Sequence, residues 1–222
     1  MSTTLAHAAH AAHTNDDMDM GTDTSPEAKL KSRLSYLFGP MATEQWYYQP
    51  QYLSFITPEI VANNVFLIAD DLFNGLSDKV VWDMFAGIGT DTIRLSKLCG
   101  KIVSTELCPE TYAELRKNIE SRGITNVTTL LGDCHQYVDQ IQSDIVYFDP
   151  PWGDQFQTGQ KYEFTKDIID LVLKVHEKSH LIIKSPFNST SFERLFNSAE
   201  TLATTAYRQP KLKFLFIAAA NA

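Results

Sequence analysis

From Lys79 onward the chain repeats one rhythm: a short apolar run, a turn, then an amphipathic stretch. Strand patterns fall at 79–84, 101–106, 127–131, 144–149, 179–184 and 211–218, and helical patterns near 90–98, 109–122, 133–140, 164–177 and 189–197. Segments such as "KVVWDMF" and "SDIVYFD" lack the strict alternation of a strand that is wet on one face, and read as strands covered on both. The alternation therefore predicts an α/β, Rossmann-like architecture, a parallel sheet with helices on both faces. In such sheets ligands collect beyond the carboxyl ends of the strands. Those ends are where chemistry is sought.

The first strand runs into "DMFAGIGTDT". Asp83, Phe85, Gly87 and Gly89 lie on a tight turn into a helix, but Thr92 stands where a dinucleotide fingerprint wants a third small residue, and no Gly-Lys-Ser/Thr follows. A carboxylate four residues before Gly87 suits a cation better than a pyrophosphate, and the ammonium group of a sulfonium cofactor is such a cation. The second strand closes on Glu106, 23 residues after Asp83, where an acid accepts hydrogen bonds from both ribose hydroxyls. After the third strand, Asp133 either takes an adenine amino group or caps the next turn. Glu106 and Asp133, taken alone, read equally well as ordinary turn residues. Four acids at four successive strand ends, the last being Asp149, point jointly to S-adenosyl-L-methionine as cofactor.

The fourth strand ends in "YFDPPWGD". Two prolines stop the strand and stiffen the turn, which holds Trp152 next to the carboxylate of Asp149. That pairing suits a planar, hydrogen-bonding ligand such as a nucleobase. The lone pair of an exocyclic amine is delocalised into the ring, so the nitrogen is a poor nucleophile. Asp149 and the carbonyl of Pro150 can hold its two hydrogens and aim it, while Trp152 fixes the plane of the base; positioning of this kind contributes several kcal/mol without a strong base.

Around this core the sequence divides into three parts. Residues 1–28 are Ala/His/Thr-rich and then acidic, with five acids and no Lys or Arg, and are expected to be a disordered tail. His7, His10 and His13 repeat every third residue in it. Residues 29–76 read as a helical extension. In "TPEIVANNVFLIADDLF" Thr57 can cap, Pro58 suits a first turn, and Ile60, Val61, Asn64, Leu67, Ile68 and Leu72 form a face at helical spacing. Residues 77–222 are the catalytic unit. The net charge of −8 falls to −3 once the tail is set aside, and there is no basic stripe. Long duplexes held by phosphate neutralisation are thereby disfavoured, and a short or single-nucleotide target is favoured. Cys99, Cys108 and Cys134 show no metal-ligand spacing, so reduced thiols, no metal and an intracellular setting, nuclear or cytoplasmic, are expected. The longest apolar runs fall short of a membrane span, and no membrane partner is expected.

With these residues placed, the sequence resembles the trimethylguanosine synthase family, RNA cap guanine-N2 methyltransferases, over about residues 36–218. Three stretches carry the resemblance in order: "LFGPMATEQWYYQPQYLSFITPEIVANNV", "VVWDMFAGIGTDTIRLS" and "FDPPWGD". The first is the most specific, since most methyltransferases lack such a segment. The resemblance implies the S-adenosylmethionine-dependent methyltransferase fold, with a mostly parallel seven-stranded sheet, and a capped RNA (7-methylguanosine cap) as partner to a monomer. It implies that Trp152 stacks on the positively charged 7-methylguanine, that Asp83 and Glu106 bind the cofactor, and that Phe55, Thr57 and Pro58 lie near it, Phe55 on the substrate side. Three positions depart from the family pattern: Asp149 replaces serine, Asp91 replaces asparagine and Asp154 replaces glycine. An aspartate before Pro-Pro is typical of adenine-N6 and ribosomal guanine-N2 amino methyltransferases, which form the alternative enzyme reading; a non-catalytic nucleotide-binding protein on the same fold is the second alternative. In "LIIKSPFNSTSF" Lys184 and Asn188 either reach cap phosphates or the base, or belong to a capping loop. Lys29, Lys31 and Arg33 either touch the triphosphate bridge or form a solvated helix face.

Overall fold

The structure, a computed structural model, describes residues 25–152, 162–196 and 200–221. The His7, His10 and His13 repeat, Gly153 and Asp154 lie outside the described residues. Helix α1 (Pro26–Phe38) and helix α2 (Glu59–Leu72) come first. There follow β1 (Val80–Asp83), α3 (Thr90–Leu95), β2 (Lys101–Glu106), α4 (Pro109–Glu120), β3 (Val127–Leu131), β4 (Ile145–Phe148), α5 (Lys166–His176), β5 (His180–Pro186), β6 (Thr201–Tyr207) and β7 (Leu212–Ile217).

Among the described residues the strands form one seven-stranded sheet in the order β3-β2-β1-β4-β5-β7-β6. The first five run parallel, and β7 runs against both of its neighbours. The expected mostly parallel sheet is thus corrected to a mixed one. The reason is connectivity: β6 and β7 are joined by a short turn, and a short turn can close only an antiparallel pair. β6 itself was missing from the strand pattern. Its "TLATTAY" offers weak apolar contrast, and it forms the sheet's edge with alternate residues half-buried. In contrast, every residue of β4 and β7 is buried.

The helical extension is not an appendage. Leu37, Phe38, Met41, Trp46, Leu53 and Ile56 share one apolar cluster with Ala86, Ile88 and Ile93 around α3, and with Leu115 and Ile119 of α4. Trp46 stacks on Phe38 at 4.4 Å between centroids, donates Nε1–H to the Met41 carbonyl at 3.0 Å, and carries the Arg122 guanidinium 3.8 Å from its own ring centroid. Asn118 of α4 accepts from the Tyr47 amide and donates to the Tyr47 carbonyl, both at 2.8 Å. Each large side chain buried here contributes about 1.5–3 kcal/mol.

Four expectations need correction. Helix α1 begins at Pro26, inside the stretch expected to be disordered, because Ser25 Oγ accepts from the Ala28 amide at 3.1 Å and caps it. Helix α2 buries Val61, Ala62, Val65, Phe66 and Ala69, whereas Ile60 and Leu67 are 70% and 64% exposed. Two apolar stripes compete on this helix, and the edge-on contact of Phe66 with Tyr147 of β4, 5.6 Å between centroids, goes with the stripe that faces inward. Thr57 does not cap α2; its hydroxyl is engaged elsewhere. The expected helices at 133–140 and 189–197 reduce to a single 3-10 turn, Cys134–Gln136, and to irregular turns through the described residues to 196.

Candidate functional site at the switch point of the sheet

Strand β1 is flanked by β2 on one side and β4 on the other, so the strand order reverses direction there. The crevice beyond the carboxyl ends at such a point is the ligand site of open α/β sheets. Asp83, Glu106, Asp133 and Asp149 all follow or close strands on this edge.

Asp83 is 1% exposed. Its Oδ2 accepts from Thr92 Oγ1 at 2.5 Å, and Thr92 in turn lies 3.0 Å from Ser104 Oγ. Burial pushes its carboxyl up to about 8; the Thr92 hydroxyl opposes this, and the charges of Asp91, Asp149 and Glu106 add to it. A neighbouring ammonium group would reverse that balance. Gly87 and Gly89 adopt φ of +55° and +89°, the left-handed region where a side chain is strained. A Cβ at Gly89 would come within 2.5 Å of Leu115 Cδ1, whereas one at Gly87 would meet nothing within 4 Å and would project into open space. Phe85 lies beneath, edge-on to Phe148 at 5.2 Å.

Glu106 accepts from the Gly87 amide through Oε2 at 2.9 Å and from the Cys108 amide through Oε1 at 2.8 Å. Each carboxylate oxygen has two lone pairs, so acceptor capacity remains for a ribose diol. Asp133 caps the 3-10 turn: Oδ1 accepts from the His135 amide at 3.0 Å and lies 2.7 Å from His135 Nδ1. The amide and ring of His135 together hold its carboxyl below the usual range. Asp83, the open space beside Gly87 and Glu106 thus fit the ammonium and ribose of S-adenosyl-L-methionine, and Asp133 keeps a partly exposed carboxylate for the adenine side.

Asp149 sits one residue after β4. Its Oδ2 lies 2.7 Å from the ammonium of Lys184 on β5, whose side chain is 3% exposed. Burial raises the Asp149 carboxyl to about 6, with Lys184 opposing and Asp91 adding to the rise. The same ammonium stands 5.3 Å from the centroid of the half-buried Trp152 ring and 3.5 Å from the Phe55 carbonyl oxygen. Of the alternatives left open for Lys184, which are cap phosphates, the base or a capping loop, the lysine lies on the base side, turned inward to Asp149. Pro150 is buried, while Asn188 is exposed, as are Phe55 and Phe187.

Sequence reasoning missed the buried group that ties these parts together. Arg94 donates from Nη1 to Asp91 Oδ1 and to the Thr57 carbonyl, both at 2.8 Å, and from Nη2 to the Leu37 carbonyl at 2.6 Å. Asp91 Oδ2 accepts from Thr57 Oγ1 at 2.8 Å and from Tyr147 Oη at 3.1 Å. One ion pair thus fastens the end of α1, the Thr57–Pro58 segment, α3 and β4. The available signal was the opposite charge at i and i+3 on a predicted helix, which a reading confined to strand ends passes over.

Residues 78–191, just over half of the 222-residue chain, match the family of RNA cap guanine-N2 methyltransferases. Trimethylguanosine synthase of Schizosaccharomyces pombe is 30% identical over 120 residues, which cover 51% of this chain and 48% of that protein. An uncharacterized RNA methyltransferase of Protochlamydia amoebophila is 31% identical over 101 residues, covering 43% of this chain and 22% of that protein. The chain thus spans about half the length of the first relative and less of the second. Among solved structures, a proposed methyltransferase from Porphyromonas gingivalis W83 shares the fold with a TM-score of 0.68 at 17% identity, over 88% of this chain and 49% of that one.

Proposed function

The chain belongs to the RNA cap guanine-N2 methyltransferase family, and on that premise we propose that it methylates the exocyclic 2-amino group of 7-methylguanosine in RNA caps. S-adenosyl-L-methionine is the cofactor, and when bound it supplies an electrophilic methyl group. Asp83, Glu106 and Asp133 are the residues that would hold it, with Gly87 leaving the room and the Thr57–Pro58 segment beside them.

The observation that carries the reading is the turn after β4, where Asp149 and Trp152 lie together around one buried ammonium. Trp152 offers an indole face for the base. Asp149, kept an acceptor by Lys184, takes a hydrogen of the amine and is placed to receive its proton once nitrogen has acquired a fourth bond. The Pro150 carbonyl takes the other hydrogen. No strong base is needed, because the nitrogen becomes acidic only after the new bond forms.

A second reading is methylation of an unmodified purine within RNA. The Asp149–Lys184 contact favours it, since a paired carboxylate adds no net pull on a cationic ring. Mass spectrometry of a cap dinucleotide and of guanosine triphosphate after incubation with S-adenosylmethionine separates the two. The cap reading expects a clear preference in kcat/KM for the 7-methylated substrate; a ratio near one overturns it in favour of the second.

A further inference from the structure

A lysine is rarely buried unless its ammonium answers a charge. Among the described residues, the Lys184 ammonium meets Asp149 Oδ2 at 2.7 Å, the Phe55 carbonyl oxygen at 3.5 Å and the Trp152 ring, 5.3 Å from its centroid. They come from the end of β4, the segment before α2 and the turn after β4, which are the places assigned above to the base. A carboxylate and an indole face are also the two features that attract a positively charged ring. In this chain an internal cation already stands against both.

We propose that Lys184 sets how strongly the site discriminates cationic 7-methylguanine from neutral guanine, by neutralising Asp149 and holding it as the acceptor of the exocyclic amine. The inference rests on the reading of Asp149 and Trp152 as the base-binding pair. With Lys184 in place, the pair presents no net charge to the ring, and discrimination falls to the indole. With Lys184 removed, a cationic base becomes the available partner for Asp149. With Asp149 neutralised instead, the ammonium is left alone and repels such a base.

Asp149 is faced by Lys184 from β5, by Asp91 from α3 and by Asp83 and Tyr147 from β1 and β4. Of these the Lys184 ammonium holds the carboxyl down, and without it burial and the neighbouring acids act unopposed. With the Asp149 carboxyl raised to about 6, an acid limb of kcat/KM that reports it should move to higher pH in K184M on the same substrate.

The test is a double-mutant cycle on the full chain, with K184M, D149N and K184M/D149N titrated with 7-methylguanosine triphosphate and with guanosine triphosphate. K184M should raise the affinity ratio by roughly tenfold, the low end of what close charge pairs contribute at interfaces. D149N should lower it, the double variant should return near the parent value, and K184R should hold it. A lysine that serves packing alone would lower the melting temperature and turnover of K184M while ratio and acid limb stay put, which overturns the proposal. Should K184M fail to fold, D149N reads the same coupling from the other partner, and an unchanged ratio there is equally fatal. Trp152→Ala separates the two levels. Lost binding in that variant together with a flat cycle removes only the role of Lys184, whereas binding indifferent to Trp152, or no binding of either nucleotide by the parent protein, removes the base site and this inference with it.

Discussion

Asp83 is a residue whose chemistry departs far from its free-solution behaviour. With its carboxyl raised to about 8 by burial, it is largely protonated at neutral pH until a cation arrives. Its pKa in the fold lies above that of the unfolded chain. Its proton therefore contributes stability that is full below the ordinary carboxyl value of 3.8, falls steadily as pH rises above that, and is gone once pH has passed through about 8. An ammonium group bound beside it must displace the proton. Cofactor binding should accordingly release up to one proton, and affinity should rise with pH up to about 8. Calorimetry in buffers of different ionisation enthalpy reads the release directly, and Asp83→Asn should abolish it while weakening binding. At Asp149 the amide of an Asp149→Asn variant offers one acceptor and a mismatched donor, so most activity should be lost. Asp149→Ser restores the family residue and should keep part of the activity on cap substrates, measured as kcat. Trp152→Ala should remove most base binding while cofactor affinity survives, and Trp152→Phe should fall between, since the charge-dependent part of stacking is worth about 0.5–2 kcal/mol.

At the scale of elements, the strand ends were legible and the helix faces were not. A strand buried on both faces has one reading, so β1, β2, β4 and β5 could be located and their terminal acids found. Helix α2 carries two apolar stripes, and only the partner surface, Phe66 against Tyr147, selects between them. The same holds for Lys184: a lysine in a strand has several readings until Asp149, just past the neighbouring strand, is seen beside it. The Asp91–Arg94 pair shows the corresponding limit for the extension, since its acceptors at Leu37 and Thr57 lie far away in sequence. Removing one partner of a buried pair strands the other. Arg94→Met should cost about 3–5 kcal/mol in urea unfolding, and the double variant Asp91→Asn/Arg94→Met less, because it buries no lone charge. If the two variants lose equal stability, the pair is not acting as a coupled unit.

For the whole molecule, the first described helix starts at Pro26 and is capped by Ser25, ahead of Lys29. A protein lacking residues 1–24 should keep its melting temperature and its turnover on a cap dinucleotide. One lacking residues 1–28 loses the capping hydroxyl and the first turn of α1, and should be destabilised by roughly 1 kcal/mol or more. Equal stability of the two truncations would show that the cap contributes nothing. No helix among the described residues is long and apolar enough to cross a membrane.

The docking of the extension also has a consequence in time. Tyr47 pairs with Asn118, 71 residues later, and Leu37 with Arg94, 57 residues later. During synthesis Phe38 and Trp46 emerge well before α3 and α4 exist to cover them. For that interval the nascent chain carries an aromatic segment with no docking surface, as chains dominated by distant contacts do. Residues 26–56 should therefore bind an apolar-surface dye or a holdase in ribosome-arrested fragments ending before α4, and release it once Asn118 has cleared the exit tunnel.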